Sequence, residues 1–435
     1  MSSQPLNEQT PLAEALNDRL QRASSLRFGN EGLDLSGALA SLDPNMIRAA
    51  QDAIHELSKG LPELVVKDER FPNGDVLLVR GVGGIATGFY PNFVGWSLVR
   101  CLVQMGSVEA AIAWLLRVLS TKAATGKFIN TLWGVKVDRE VSLTDGVKLI
   151  PIEALPESVQ KRRLLGDYGY LFRSFSTMLD WTPPQSALVA NVRIEPFLSK
   201  EGQTSSEAFD DFMKTKSLLE DITLVLSVIG PSTPMLAMQW VTLDDPTLEL
   251  ASIMSGASMR MGKALEIMPW KPVDAPTMDS HEAQESVHAF LEMHPGTKRK
   301  MRVALSRLIQ AQLRHDVGDR AVELSTAFET LLGDGGTNEM THKVSVRLVR
   351  LIGGSDDLRK KNYEVMKTTY GYRSGLLHTG FIDPGRQKTI NGTKMNAADI
   401  VGYAITLGVE LLKLLLRRGA IPEWTHFDIT DSIKS

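Results

Sequence analysis

Residues 319–332 read Asp-Arg-Ala-Val-Glu-Leu-Ser-Thr-Ala-Phe-Glu-Thr-Leu-Leu, with Gly333 next in line. Val322, Leu324, Ala327, Phe328, Leu331 and Leu332 recur at helical spacing, so the stretch predicts a helix with one buried stripe. Gly333 stands where a helix takes its C-terminal cap. The chain on either side continues the pattern. From Asp279 onward strand signals vanish, and helices are expected over 282–292, 298–314, 338–352, 357–377 and 396–418, the last stopped by Gly419 and Pro422. The rear of the chain, 296–420, therefore reads as an all-α bundle. His294-Pro295-Gly296 marks its boundary, and residues 421–435 read as a tail.

The front, residues 1–290, has a different texture. Leu12, Leu16 and Leu20 predict a short amphipathic helix, and a second is expected over 44–59 with Asp43 as N-cap. After Gly60-Leu61-Pro62, residues 64–66 and 75–79 read as strands joined by a Pro72-Asn73-Gly74 turn. Two apolar helices, 93–105 and 108–120, are split at Gly106. Strand-like runs follow at 132–141, 147–152, 187–194 and 235–243, with a long helix over 206–229 ending at Gly230-Pro231. The expected fold class is an α+β N-terminal region, of one or two domains, followed by the helical bundle.

Composition narrows the function classes. The chain has 435 residues, 43% hydrophobic and 23% charged, enough apolar mass for sizeable cores and too much for a disordered chain. One cysteine, Cys101, excludes a disulfide framework or a cysteine-built zinc site and fits a reducing cytoplasm. Residues 1–30 hold no apolar signal-peptide core, and the apolar run 401–416 carries Glu410 and Lys413, so it reads as a buried helix and not a membrane span. A cytoplasmic protein with no membrane partner is expected. Charge is uneven: residues 1–295 hold 26 Lys and Arg against 36 Asp and Glu, whereas residues 296–419 hold 21 against 12. A basic rear behind an acidic front suggests an anionic partner for the rear. The plainer reading is that surface lysines cluster.

Three constellations bear on chemistry. Gly81-Val82-Gly83-Gly84-Ile85-Ala86 follows an expected strand and loosely matches a dinucleotide-binding turn. No acidic residue stands near twenty positions downstream until Glu109, and Gly88 and Pro91 prolong the loop where a helix should begin, so a glycine-rich turn is preferred. His281, Glu285, His288 and Glu292 share one helix face and could hold a divalent ion, although a solvated polar face is the preferred reading. The third is Tyr370-Gly371-Tyr372-Arg373-Ser374-Gly375-Leu376-Leu377-His378-Thr379-Gly380. An imidazole titrating near neutrality and a fixed guanidinium are the two parts that metal-free RNA cleavage needs. One moves a proton to or from the ribose and leaving oxygens, and the other neutralises charge building on the phosphoryl group. The blander reading is a helix-capping histidine and a surface arginine. An Arg followed by His after four to six residues arises by chance at this composition, and it occurs twice, at Arg373/His378 and at Arg48/His55. Context separates them, because Arg48/His55 sits mid-helix in the front.

The order of the phrase 319–333, then Tyr-x-x-Arg-Ser-x-Leu-x-His-x-Gly over 370–380, resembles the Apea-like branch of the HEPN superfamily. The resemblance spans Lys298 to Gly419 and says nothing about residues 1–290. It implies a HEPN helical bundle that dimerises so that two Arg…His motifs face one shared cleft. It also implies a metal-independent endoribonuclease in a toxin or anti-phage defence setting, with no metal and no cofactor. Arg373 and His378 match the motif ends as phosphate stabiliser and general acid/base, and Glu329 matches an acid that orients the arginine. Many active members carry Asn, Asp or His after the arginine, where this chain has Ser374. That departure favours the alternative, a non-catalytic scaffold for dimerisation or RNA binding.

The expected substrate is RNA, a tRNA or mRNA loop. Lys298, Arg299, Lys300 and Arg302, with Arg359, Lys360 and Lys361, are the expected phosphate contacts. Tyr363, Tyr370 and Tyr372 are the best placed stacking groups, with Tyr372 beside Arg373. On an ideal helix positions 373 and 378 lie about 140° apart. Gly371, Gly375 and Gly380 suggest a bend or an end that brings both to one cleft. The front is then a regulatory or sensing region, its trigger a ligand or a phage protein.

Overall fold

A computed structural model describes residues 10–41, 43–66, 76–80, 86–89, 91–121, 123–162, 164–165, 183–194, 197–199, 207–230, 233–245, 248, 257–259, 277–334 and 339–430. The front opens with helices α1 (Pro11–Ser25), α2 (Leu35–Ala40), α3 (Pro44–Ser58) and α4 (Leu61–Val66). Asp43 caps α3 by accepting from the Asn45 N–H at 2.9 Å. Residues 64–66, expected as a strand, are helical. Leu61 and Val65 lie one turn apart and are both fully buried, and Pro62 fits a first helical turn, so packing against the next helix overrides the β preference of Val-Val. Strands β1 (Val76–Arg80) and β2 (Ala86–Phe89) pair antiparallel, and helices α5 (Pro91–Met105) and α6 (Val108–Ser120) follow, split at Gly106 with φ +65°.

The centre of the front is an antiparallel sheet. Its strands are β3 (Ala124–Trp133), β4 (Val141–Thr144) and β5 (Val147–Pro151). After the short helix α7 (Val159–Arg162) come β6 (Ser186–Ile194) and β7 (Phe197–Ser199), which joins β1. Helix α8 (Glu207–Leu226), β8 (Met235–Leu243) and β9 (Ala257–Met259) complete it, and the order among the described residues is β4-β5-β6-β3-β8-β9. β3 is central, paired with β6 from Ala124↔Ile194 to Leu132↔Ser186 and with β8 on its other side. It begins eight residues before the strand expected at 132–141. Gly126 explains the difference: a Cβ there would stand 2.2 Å from the Thr242 carbonyl oxygen, so close strand approach needs glycine and breaks the apolar alternation. One sheet face, with Phe128, Leu132, Leu188 and Val241, packs toward α8, where the Phe128 and Phe212 rings sit 5.1 Å apart. Ile129, Ile150, Val189, Met238 and Trp240 form a second buried cluster on the opposite face.

The rear comprises α9 (Ser280–Leu291), α10 (Pro295–Leu313), α11 (Val317–Leu332), α12 (Met340–Ile352) and α13 (Asp356–Thr379). A hairpin of β10 (Gln387–Ile390) and β11 (Thr393–Asn396) follows, then α14 (Ala397–Arg418) and α15 (Trp424–Thr430). Helix α11 touches α10, α12, α13 and α14 and is the centre of the region. Its buried surface is therefore wider than one stripe and takes in Ala321, Glu323 and Ser325, while Val322 is half-buried. Glu323 is satisfied by Arg307 at 2.9 Å and Arg314 at 3.6 Å.

Three expectations are corrected here. The rear is not free of strand: Asn391 (φ +44°) and Gly392 (φ +80°) form the two-residue turn of the hairpin. Residues 424–430, expected as part of a tail, are a helix whose Trp424 and Phe427 are buried and whose Asp428 pairs with Arg347. His294-Pro295-Gly296 is a helix–helix connection and not a break in packing. Helix α9 contacts β4, α8 and α14, Glu282 pairs with Lys413 at 2.7 Å, and Arg302 on α10 grips Asp221 on α8 through two bonds of 2.5 and 2.6 Å. One connected cluster of buried apolar residues accordingly runs from Leu12 in the front to Phe427 in the rear. Among the described residues, no helix is long and apolar enough to cross a membrane.

Candidate functional site

Ser355 starts α13 by accepting from the Leu358 N–H at 3.3 Å, and Gly380 ends it in the left-handed conformation, donating to the Leu376 carbonyl at 2.8 Å. Between them the helix is unbroken. Gly371 and Gly375 do not interrupt it and Gly380 ends it only after His378, so helical spacing keeps Arg373 and His378 on different sides.

Arg373 faces α11. Its Nη1 donates to Glu329 Oε1 at 2.5 Å, and its side chain is 34% exposed. This contact uses one of the five N–H donors of the guanidinium. Tyr370, one turn earlier, is buried and donates to the Ser325 carbonyl at 3.3 Å. Burial, reinforced by the nearby Glu329 carboxylate and opposed by Arg373, holds its phenol well above the usual range, so it stays protonated. His378 lies in the last turn and is exposed, in a solvent-facing stripe with Lys360, Lys367, Gly371 and Ser374. The structure thus brings Glu329 and Arg373 together and leaves His378 and Ser374 on the open side of the same helix.

Tyr372 does not stack on a ligand. It is 5% exposed and its hydroxyl is enclosed without a hydrogen-bond partner, with burial raising its pKa. Helical spacing turns it inward while its neighbour Arg373 points to α11. Tyr363 is half-buried, its hydroxyl 3.4 Å from His342 Nδ1. The expected phosphate contacts also separate. Arg299, Lys300 and Lys360 are exposed. Lys298 donates to the Leu291 carbonyl at 2.7 Å and so closes the end of α9, and Arg302 is held by Asp221. Arg359 lies 3.9 Å from Asp356, and the Lys361 ammonium sits 4.3 Å from the Tyr403 ring centre.

The remaining constellations are quickly placed. Residues 81–85 of the glycine-rich turn lie outside the described residues, as does the 72–74 turn. His281 and His288 pair with Glu285 and Glu292 at 3.5 and 3.4 Å on an exposed face, and among the described residues no group of three His, Cys, Asp or Glu is arranged to hold a metal ion. Arg48 and His55 are exposed on α3. Sequence reasoning missed further exposed groups on and beside α13. Leu377 and Phe381 are 72% and 61% exposed, and Arg386, Lys388 and Lys394 of the hairpin segment are exposed beside α13. The signal for the hairpin was present as Asn391-Gly392. No protein-family model, curated protein or solved structure matches the chain.

Proposed function

We propose that the rear region is a HEPN bundle and that the protein is a metal-independent endoribonuclease acting on tRNA or mRNA in a toxin or anti-phage defence setting. The observation that carries the reading is the Glu329–Arg373 ion pair. It fixes a half-exposed guanidinium on the same helix as an exposed imidazole, in a bundle whose surface is basic. In the reaction, His378 takes the 2′-OH proton as that oxygen attacks the adjacent phosphorus, or protonates the leaving 5′-oxygen. Arg373 neutralises the charge on the non-bridging oxygens. The products are a 2′,3′-cyclic phosphate and a free 5′-hydroxyl. Because one helix directs the two side chains about 140° apart, the reading places a second copy of the chain opposite, completing a shared cleft. The acidic front is the proposed regulatory part, its trigger a ligand or a phage protein, and the Asp221–Arg302 and Glu282–Lys413 pairs join it to the bundle.

A second reading is favoured by Ser374 and by the open placement of His378: a non-catalytic scaffold that dimerises or binds RNA. The deciding experiment incubates purified protein with total tRNA and a single-stranded RNA in EDTA, beside Arg373→Ala, His378→Ala and Glu329→Gln. The nuclease reading expects cleavage with cyclic phosphate ends, a loss of about 100-fold or more in the first two variants, and a smaller loss in the third. Cleavage that survives both alanine substitutions overturns the site. A wild type that binds RNA without cutting it supports the scaffold.

A further inference from the structure

The surface beside His378, on the side of α13 away from Arg373, carries groups that neither residue uses. Strand β10 lies along α13, and both ends of the segment are tied to that helix. At one end the Asn391 N–H donates to Glu364 Oε2 at 2.6 Å and the Asn391 side chain donates to the Asp357 carbonyl at 3.2 Å. At the other end Ile382 is buried against Gly375. Between these anchors Arg386, Lys388 and, across the hairpin, Lys394 are exposed. Asp383 accepts from the Gly385 N–H at 2.9 Å, Glu364 holds Asn391, and Asp356 and Asp357 lie in the first turn of α13. The segment 383–394 carries three exposed cations against one carboxylate, with Lys388 on the face of Ile390 and Lys394, paired with Thr389, on the other.

Phe381 stands at the start of this segment, three residues past His378. Its backbone is fixed, since the Thr379 hydroxyl lies 2.9 Å from the Phe381 carbonyl oxygen and 2.8 Å from that of Gly375. A large aromatic side chain 61% exposed can stack on an unpaired base, and a duplex offers none. Gly371, whose Cβ position is open, leaves the helix stripe between Lys367 and Ser374 shallow enough for a chain to lie across it.

We infer that single-stranded RNA is seated here, with one base stacked on Phe381 and the backbone running along Arg386 and Lys388. The inference rests on the reading of the protein as one that engages RNA, and it assigns the strand's path from His378 along the hairpin.

The test measures binding of a fluorescent, 2′-O-methylated single-stranded oligonucleotide to the full chain between 50 and 200 mM salt. Arg386→Gln/Lys388→Gln is expected to lower the slope of log affinity against log salt by about 1.4, at about 0.7 per phosphate contact, whereas Lys394→Gln, on the other face, leaves it unchanged. Phe381→Ala is expected to weaken binding about 5- to 100-fold with the slope unchanged, and Phe381→Trp to restore it. These positions are exposed, so melting temperatures should match the wild type. Wild-type binding that none of the variants alters overturns this path and leaves the RNA reading standing. A wild type with no affinity for the oligonucleotide at any salt removes both. If Phe381→Ala changes the mass of the protein in solution and not its affinity for RNA, Phe381 is a contact between copies of the chain and the stacking assignment falls.

Discussion

Arg347 on α12 is the least exposed charged residue among the described residues, at 2%. Its Nη1 donates to the Leu332 carbonyl at 2.6 Å, and its Nη2 donates to Asp428 at 2.6 Å and Asp334 at 3.0 Å. The guanidinium also lies over the Trp424 ring at 5.0 Å. Burial works against its charge, and the two carboxylates outweigh that cost, holding its pKa above the ordinary value. Arg347→Ala should cost about 2 kcal/mol, because it leaves the Leu332 carbonyl unpaired and takes the nearest cation from two partly buried carboxylates, leaving Asp334 with Lys343 at 3.1 Å and Asp428 with Arg350 at 3.9 Å. Urea unfolding should show a lower midpoint with an unchanged slope. Arg347→Lys should recover only part of the loss, since a compact ammonium cannot span the acceptors that the guanidinium fork reaches from separate nitrogens. Nothing local in the sequence marks Arg347 out from Arg350, whereas Arg373 is marked by the phrase around it. The same scale explains Tyr372: a tyrosine next to a candidate catalytic arginine looks available, yet adjacent positions on a helix point about 100° apart and one of the two must meet the core.

At the scale of elements, capping chemistry is well written into the chain. Asp43, Asp279, Asp316, Ser355 and Asn396 each accept from a backbone N–H at a helix start. The hairpin of β10 and β11 went unread because Gln387, Lys388, Thr389, Thr393 and Lys394 are all polar and exposed, so no apolar alternation announces it. Its turn is specified by Asn391-Gly392 alone. Gly392→Ala, at φ +80°, should cost about 1–2 kcal/mol locally. Hydrogen exchange should quicken across 387–396 while α11 keeps its protection. Equal loss of protection in both would show that the hairpin unfolds only with the whole bundle. The central strand β3 fails sequence reading for the opposite reason. Its neighbours press so closely that Gly126 is required, and periodicity cannot express a contact with a strand more than a hundred residues away.

For the whole molecule, the boundary at 294–296 is a boundary of texture and not of packing. Helix α9 buries Ala283, Val287 and Phe290, and it contacts β4 and α8 in front and α14 behind. A fragment of residues 296–435 should therefore expose the surface that α9 and α8 cover, bind a hydrophobic dye and melt broadly. A fragment of residues 279–435 should bind less dye and melt more sharply. If the shorter fragment melts as cooperatively as the full chain, the rear is an independent domain and the shared core contributes little to its stability.

What the sequence determined by itself is local. Helix periodicity, N-caps, the glycine stop at Gly419 and the strand at 235–243 depend on residues a few positions apart, and those interactions are encoded where they act. The pairing of Arg373 with Glu329 was reachable only through the resemblance of a whole phrase to a known family, because the two lie 44 positions apart. The tertiary structure alone decided which cations remain free. Lys298 and Arg302 are consumed by a carbonyl and a carboxylate, while Arg386, Lys388 and Lys394 are not. The physical reason is that a charge acts through its surroundings: burial, partner and solvent access are set by segments distant in the chain, and a sequence states them for none of its lysines.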